Sequence, residues 1–168
     1  NEVTALPDGD KPVYTSLYGG EVVTQVGGPV GLFYGYKTQG VFSTSEDAAF
    51  AGLRDGRADG DVFRGGDMHF ADLVADGVID EKDKTVIGDP NPDIFGNFGT
   101  SLHYKNWTVN AFFSYSLGND IYNYQRAVLE GGSTYYNQTT AVLNRWTSEG
   151  QVTEIPRAEL GDPMGNSR

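Results

Sequence analysis

Residues 94–117 constrain the fold more than any other stretch, because two arms of alternating character run there in matching phase. In the first arm Ile94, Gly96, Phe98, Thr100, Leu102 and Tyr104 share one face. After Lys105-Asn106, Trp107, Val109, Ala111, Phe113, Tyr115 and Leu117 do the same. A two-residue turn pairs residues whose numbers sum to 211, setting Tyr104 against Trp107, Leu102 against Val109 and Phe98 against Phe113. The opposite face pairs His103 with Thr108 and Ser101 with Asn110. An antiparallel hairpin with one apolar and one polar face is the expectation. Asn106 tolerates the left-handed conformation that a type I′ turn requires at that position. Each arm has about eleven residues, the length of a tilted strand crossing a bilayer. Tyr104 and Trp107 stand at the turn end, where interfacial aromatics lie in membrane barrels. A hairpin packed on a soluble β-core satisfies the same periodicity.

The hairpin is preceded by an acidic loop, residues 72–83. Asp72, Asp76, Asp80 and Asp83 occupy positions 1, 5, 9 and 12, and Gly77 occupies position 6. That is the spacing of an EF-hand-type calcium loop. The candidate ligands are Asp72, Asp76, the Val78 carbonyl, Asp80 (through water) and Asp83. Val74 stands at position 3, where such loops carry another oxygen ligand. The alternative is a turn in which the carboxylates satisfy backbone amides. No helix pattern follows, since Thr85–Asp93 is rich in Pro and Gly.

Between residues 46 and 93 thirteen acids face five bases, so most of the net charge of -11 sits there. A field of that sign argues against nucleic acid or an anionic membrane surface as partner. With no cysteine, disulfides, thiolate metal sites and cysteine nucleophiles are excluded. No apolar run reaches the length of a transmembrane helix. The first residue is Asn, and the chain reads as a piece of something longer.

Elsewhere, short strands are expected near 13–18 and 21–26, an aromatic-rich strand at 32–42 and a brief strand at 67–71. Ser45 ahead of Glu46 and Asp47 predicts a short helix to Leu53. A second is expected from Thr139 to Trp146. Residues 54–67, 118–137 and 147–168 read as loop.

Several motifs in order carry a family resemblance. They are Pro29-Val30-Gly31-Leu32-Phe33-Tyr34-Gly35-Tyr36-Lys37-Thr38-Gln39-Gly40-Val41-Phe42, then Gly66-Asp67-Met68-His69-Phe70-Ala71-Asp72 with Asp76-Gly77-Val78-Ile79-Asp80. Thr85-Val86-Ile87-Gly88-Asp89-Pro90-Asn91-Pro92, Arg145-Trp146-Thr147, Ile155-Pro156-Arg157 and Asp162–Arg168 continue the set. Together they resemble the C-terminal part of SusC/RagA-like TonB-dependent outer-membrane transporters of Bacteroidetes. The resemblance implies a mainly β chain with one or two short helices. Its antiparallel strands and long extracellular loops would belong to a 22-stranded outer-membrane β-barrel. On that reading residues 1–168 are part of the barrel domain, with 43–93 a long loop, 94–117 the hairpin and 118–168 a loop region. It further implies a bacterial outer-membrane location with loops at the cell surface. The implied function is import of glycans or peptides with a SusD-like lipoprotein. The implied partners also include outer-membrane lipid and the TonB system, reached through parts absent here.

The runner-up reading is a soluble calcium-stabilised β-module that binds surface glycans. Tyr122, Tyr124, Tyr135 and Tyr136, near Asn119, Asn123 and Asn137, are the candidate ligand-binding residues for stacking sugar rings or contacting peptide. An enzyme is rejected, because no acid is singled out as a catalytic group and His69 and His103 are isolated. No cofactor is expected beyond possible calcium.

Overall fold

The computed structural model describes every residue except Asp8, Ala58, Asp59 and Arg168, the last residue of the terminal motif. In chain order it contains β1 (Val13–Leu17), β2 (Gly20–Thr24), β3 (Leu32–Tyr36), β4 (Thr38–Val41) and α1 (Ser45–Ala51). Then come β5 (Arg54–Asp55), β6 (Met68–Phe70), β7 (Val78–Ile79), a 3-10 turn at Glu81–Asp83 and β8 (Lys84–Gly88). The chain continues with β9 (Ile94–Tyr104), β10 (Trp107–Leu117), α2 (Tyr124–Glu130) and a second 3-10 turn at Thr140–Asn144.

The architecture is mixed α/β with small open sheets. One sheet has the order β1-β2-β3-β8, and three two-stranded sheets pair β10 with β9, β4 with β6 and β5 with β7. This corrects the 22-stranded barrel, because none of the described sheets closes on itself. The outer-membrane placement and the transporter reading were implied by that barrel and are corrected with it. Among the described residues no helix is long and apolar enough to cross a membrane.

The hairpin has the register that its alternation predicts, from Trp107 opposite Tyr104 to Leu117 opposite Ile94. Phe98 and Phe113 stack with ring centroids 5.0 Å apart. On the polar face Ser101 Oγ donates to Asn110 Oδ1 at 2.6 Å, and His103 Nδ1 lies 3.0 Å from Thr108 Oγ1. The turn differs from expectation: the left-handed residue is Lys105, at φ 53, and Asn106 is not. Positive φ at the first central position alone is the type II′ pattern. Both faces of the hairpin are exposed, Phe98 at 62% and Phe113 at 53% on one, Phe95 and Phe112 on the other. Its apolar face therefore does not pack on the core of this chain.

The core lies elsewhere, between residues 42 and 79, where Phe42, Ala48, Leu53, Phe63, Phe70 and Ile79 are buried together with Met164. The C-terminal segment is thus threaded into a core built from the middle of the chain. Asp67 anchors it. This fully buried carboxylate accepts from Arg64 N at 2.8 Å, Arg157 Nε at 2.8 Å and Asn166 Nδ2 at 3.2 Å. A buried charge needs such partners to offset its lost hydration. Gly66 at φ 87 lets the backbone pass beneath Trp146, where a Cβ would sit 2.5 Å from the indole ring.

Three local differences have physical causes. The cap of α1 is Thr44, whose Oγ1 accepts from Asp47 N at 3.0 Å, while Ser45 donates through N and Oγ to Glu149. The expected strand at 32–42 is two strands with different partners, β3 beside β2 and β8 and β4 beside β6. The second expected helix is only the 3-10 turn at 140–144, and Thr139 makes no side-chain cap bond there.

Candidate functional site

The acidic loop is organised by its own hydrogen bonds. Asp72 accepts from Ala75 N at 2.6 Å and from Gly77 N at 2.8 Å. Asp76 accepts from Val78 N at 3.0 Å, and Asp80 from Lys82 N at 2.8 Å. Asp83 is fully buried, and its Oδ1 takes Leu73 N at 2.9 Å and Val74 N at 3.2 Å. Its Oδ2 takes Asp80 N at 2.9 Å, closing a reciprocal capping box around the first 3-10 turn. Ala75 and Gly77, at φ 58 and 79, supply the left-handed steps that bend the loop. Lys82 Nζ lies 3.3 Å from Asp80 Oδ2 and 3.8 Å from Asp76 Oδ2. The amide of Lys82, then its ammonium, hold the Asp80 carboxyl below the usual carboxylate range. Asp80 in turn raises the Lys82 ammonium. Val78 lies in β7, paired with Arg54.

Calcium requires carboxylate oxygens converging on one point. Here an ammonium stands beside two of the candidate carboxylates, and all four aspartates accept from backbone amides. Among the described residues no group of three or more His, Asp or Glu is placed to hold a metal ion. The four carboxylates are engaged as in an amide-satisfied turn.

The candidate tyrosines divide into two pairs. Tyr135 and Tyr136 are 90% and 72% exposed and line neither of the large clefts. Tyr122 and Tyr124 instead meet the four-stranded sheet. The β1–β2 turn holds Tyr18 at φ 46 and Gly19 at φ 82, a pair of left-handed residues suited to a tight hairpin. That turn places the Tyr18 ring 5.6 Å from Tyr124, while Tyr122 Oη donates to the Tyr18 carbonyl at 3.3 Å. The Tyr122 ring lies 6.3 Å from Phe33 on β3. Gly20 eases this approach, since a Cβ there would come within 3.3 Å of Tyr122 Cζ. Asp120 pins the segment before Tyr122, accepting from Asp89 N at 2.8 Å and donating its own N–H to the Asp89 carbonyl at 2.7 Å.

Two clefts result, with Tyr122 in the wall of each. The aromatic cleft, about 600 Å³, is lined by Leu17, Tyr18, Val22, Gly31, Phe33, Pro90, Asn119, Asp120, Ile121, Tyr122 and Tyr124. The polar cleft, about 570 Å³, takes its name from Thr38, Asn123, Arg126, Glu130, Asn166 and Ser167, and the rest of its wall is Ile87, Tyr122, Ala127, Gly131 and Pro156. Sequence reasoning missed Tyr18, Phe33 and Asp120 as parts of the site. The available signal was the Tyr18-Gly19 pair between two alternating stretches, which marks a turn able to project a ring.

No family model matches the chain. It is similar to segments of curated proteins from Formosa agariphila. TonB-dependent receptor P3 is 35% identical over 175 residues, covering 100% of this chain and 17% of that protein. TonB-dependent receptor P26 is 33% identical over 133 residues, covering 79% of the chain and 13% of that protein. TonB-dependent receptor P39 is 30% identical over 191 residues, covering 95% and 18%. The chain therefore spans less than a fifth of the length of these relatives. The findings support distant homology to proteins of the TonB-dependent receptor class, and the narrower SusC/RagA assignment is corrected to that broader level. These relatives are named as receptors; the chain carries no cysteine, and among the described residues there is no metal-holding cluster.

Proposed function

We propose that this chain is a glycan-binding β-module, with the aromatic cleft as its ligand site and the acidic loop as a hydrogen-bonded staple. The observation that carries this reading is the convergence of Tyr18, Phe33, Tyr122 and Tyr124 around one open cleft with Asn119 and Asp120 at its polar margin. Tilted aromatic rings beside a few polar groups suit a sugar ring, whose faces are apolar and whose edge is hydroxylated. The volume falls in the range of roughly 300–1,000 Å³ typical of small-molecule sites. A net charge of -11 favours neutral glycans over uronates or sulfated chains.

The relatives' name supports the TonB system as a partner of the whole protein, engaged through parts outside this chain. A SusD-like lipoprotein as a further partner rests on the motif resemblance.

Calorimetric titration with neutral gluco-oligosaccharides tests the reading. Wild-type protein gives saturable heat, Tyr124→Ala lowers affinity about tenfold, and Tyr135→Ala leaves it unchanged. Stacking losses of that order follow from the contribution of one well-placed aromatic contact. Equal effects of the two substitutions, or no binding by wild type, refute the site.

A further inference from the structure

The polar cleft has no role in the reading above, and to a largely apolar lining like that of its neighbour it adds the Arg126–Glu130 pair. The two clefts share Tyr122, and a small apolar gap of about 50 Å³ between Leu17, Val22, Phe33, Ile87 and Tyr122 adjoins both. The two clefts are therefore neighbours across the Tyr122 side chain.

We propose that the polar cleft is a second saccharide subsite, which takes the continuation of a neutral glycan whose first ring occupies the aromatic cleft. The inference rests on the glycan reading and adds a length requirement to it. The groups at the cleft are an amide, a guanidinium, a carboxylate and a hydroxyl, supplied by Asn123, Arg126, Glu130 and Thr38, while the Ser167 hydroxyl is engaged by Asp162. Planar groups of this kind match the spacing of vicinal hydroxyls with paired hydrogen bonds.

Asn123, Arg126 and Glu130 are bonded to one another before a ligand arrives. Arg126 Nε donates to Glu130 Oε2 at 2.7 Å, and Thr139 Oγ1 donates to Glu130 Oε1 at 3.2 Å. Asn123 Oδ1 accepts from Arg126 N at 3.0 Å, so the side chain offers a ligand its amide nitrogen. Asn166 contributes wall rather than ligand contacts, because Met68 N and Asp67 occupy its oxygen and nitrogen. Glu130 beside Arg126 and the net charge of -11 disfavour an anionic ring and select a neutral one.

The test titrates the protein with maltose and maltoheptaose, cellobiose and cellohexaose, and a hexameric uronate. In wild type the long neutral oligosaccharide of at least one series binds about tenfold or more tighter than its disaccharide, as one charged hydrogen-bonding group gained would give. Arg126→Gln brings that ratio towards one. Asn123→Asp retains a capping oxygen for α2 while removing the donor, and reduces the ratio in the same direction. Melting curves matching wild type show that both variants fold. A length ratio of one in wild type, a ratio untouched by both variants, or tighter binding of the uronate overturns the second subsite. Those results leave binding of the disaccharides, and with it the aromatic site, intact. Absence of any saccharide binding overturns the glycan reading itself.

Discussion

Replacing Asp83 by alanine tests whether the acidic loop is a staple. One buried carboxylate accepts three backbone N–H groups at 2.9, 3.2 and 2.9 Å. Hydrogen bonds to a charged partner contribute about 1.5–3 kcal/mol each, and a donor left unpaired loses about 1–3 kcal/mol. Water reaches part of this loop, so the three losses do not sum in full. Asp83→Ala is expected to cost about 3–4 kcal/mol. Asp83→Asn keeps one acceptor oxygen, but its amide then opposes a backbone donor, and about half that loss is expected. Urea unfolding of the protein measures both values from the midpoint and slope.

Calcium separates the staple from a cation site. A site at the weak end of the known range, with Kd about 1 mM, would stabilise the protein by about 1.4 kcal/mol at about 10 mM calcium. The staple predicts no change in the midpoint between chelator and calcium. A cost below about 1 kcal/mol for Asp83→Ala refutes the staple. So does a midpoint gain with calcium that Asp83→Ala abolishes.

Two further outcomes follow from the core. Gly66→Ala combines a left-handed φ of 87 with a Cβ 2.5 Å from the Trp146 ring, so a thermal melt should show a loss of about 3 kcal/mol or more. The His69 ring stacks on Phe42 at 4.3 Å, and burial pushes its pKa below the ordinary 6.5. A depressed folded pKa contributes stability that is present above the unfolded value and lost as pH falls through the folded value. Melting temperature should therefore fall on acidification below about pH 6.5, and His69→Gln should flatten that part of the profile.

The hairpin was legible because its signal is local and redundant: each arm alternates, and the turn between them links their phases. Only the turn type escaped, since Lys105 rather than Asn106 takes the left-handed step. The acidic loop was legible as spacing but not as chemistry. Carboxylates at these positions can face a cation or fold back onto amides, and spacing alone does not show the amide bonds that all four accept or the Lys82 ammonium beside two of them. The cleft was less legible, because Tyr18 and Tyr122 are brought together only by the docking of residues 119–124 beside β1–β3. α2 escaped for a related reason. Its Asn123 cap and its Arg126–Glu130 pair were present in the sequence, but they lie between Gly- and Tyr-rich stretches that read as loop. The barrel was an expectation from resemblance to much longer proteins, and a segment under a fifth of their length forms open sheets.

The two walls of the polar cleft differ in kind. One is the C-terminal segment, where Met164 is buried in the core and Asn166 bonds both Met68 N and the buried Asp67. Moving that wall means breaking bonds to a buried carboxylate, and the core resists it. The opposite wall is α2, which has no buried residue and is held by surface contacts: the Arg126–Glu130 pair, bonds from Thr139 to Glu130 and to the Leu129 carbonyl, and the Tyr18–Tyr124 ring contact. Exposed pairs of this kind contribute about 0–1 kcal/mol. A seven-residue helix without a buried face depends on such contacts for its order. The fold thus opposes a fixed wall to a yielding one, and segments with few buried contacts are those that open first. Ligand contacts to Arg126 and Asn123 would add to the little that holds α2, so occupancy of the cleft and order of the helix should rise together.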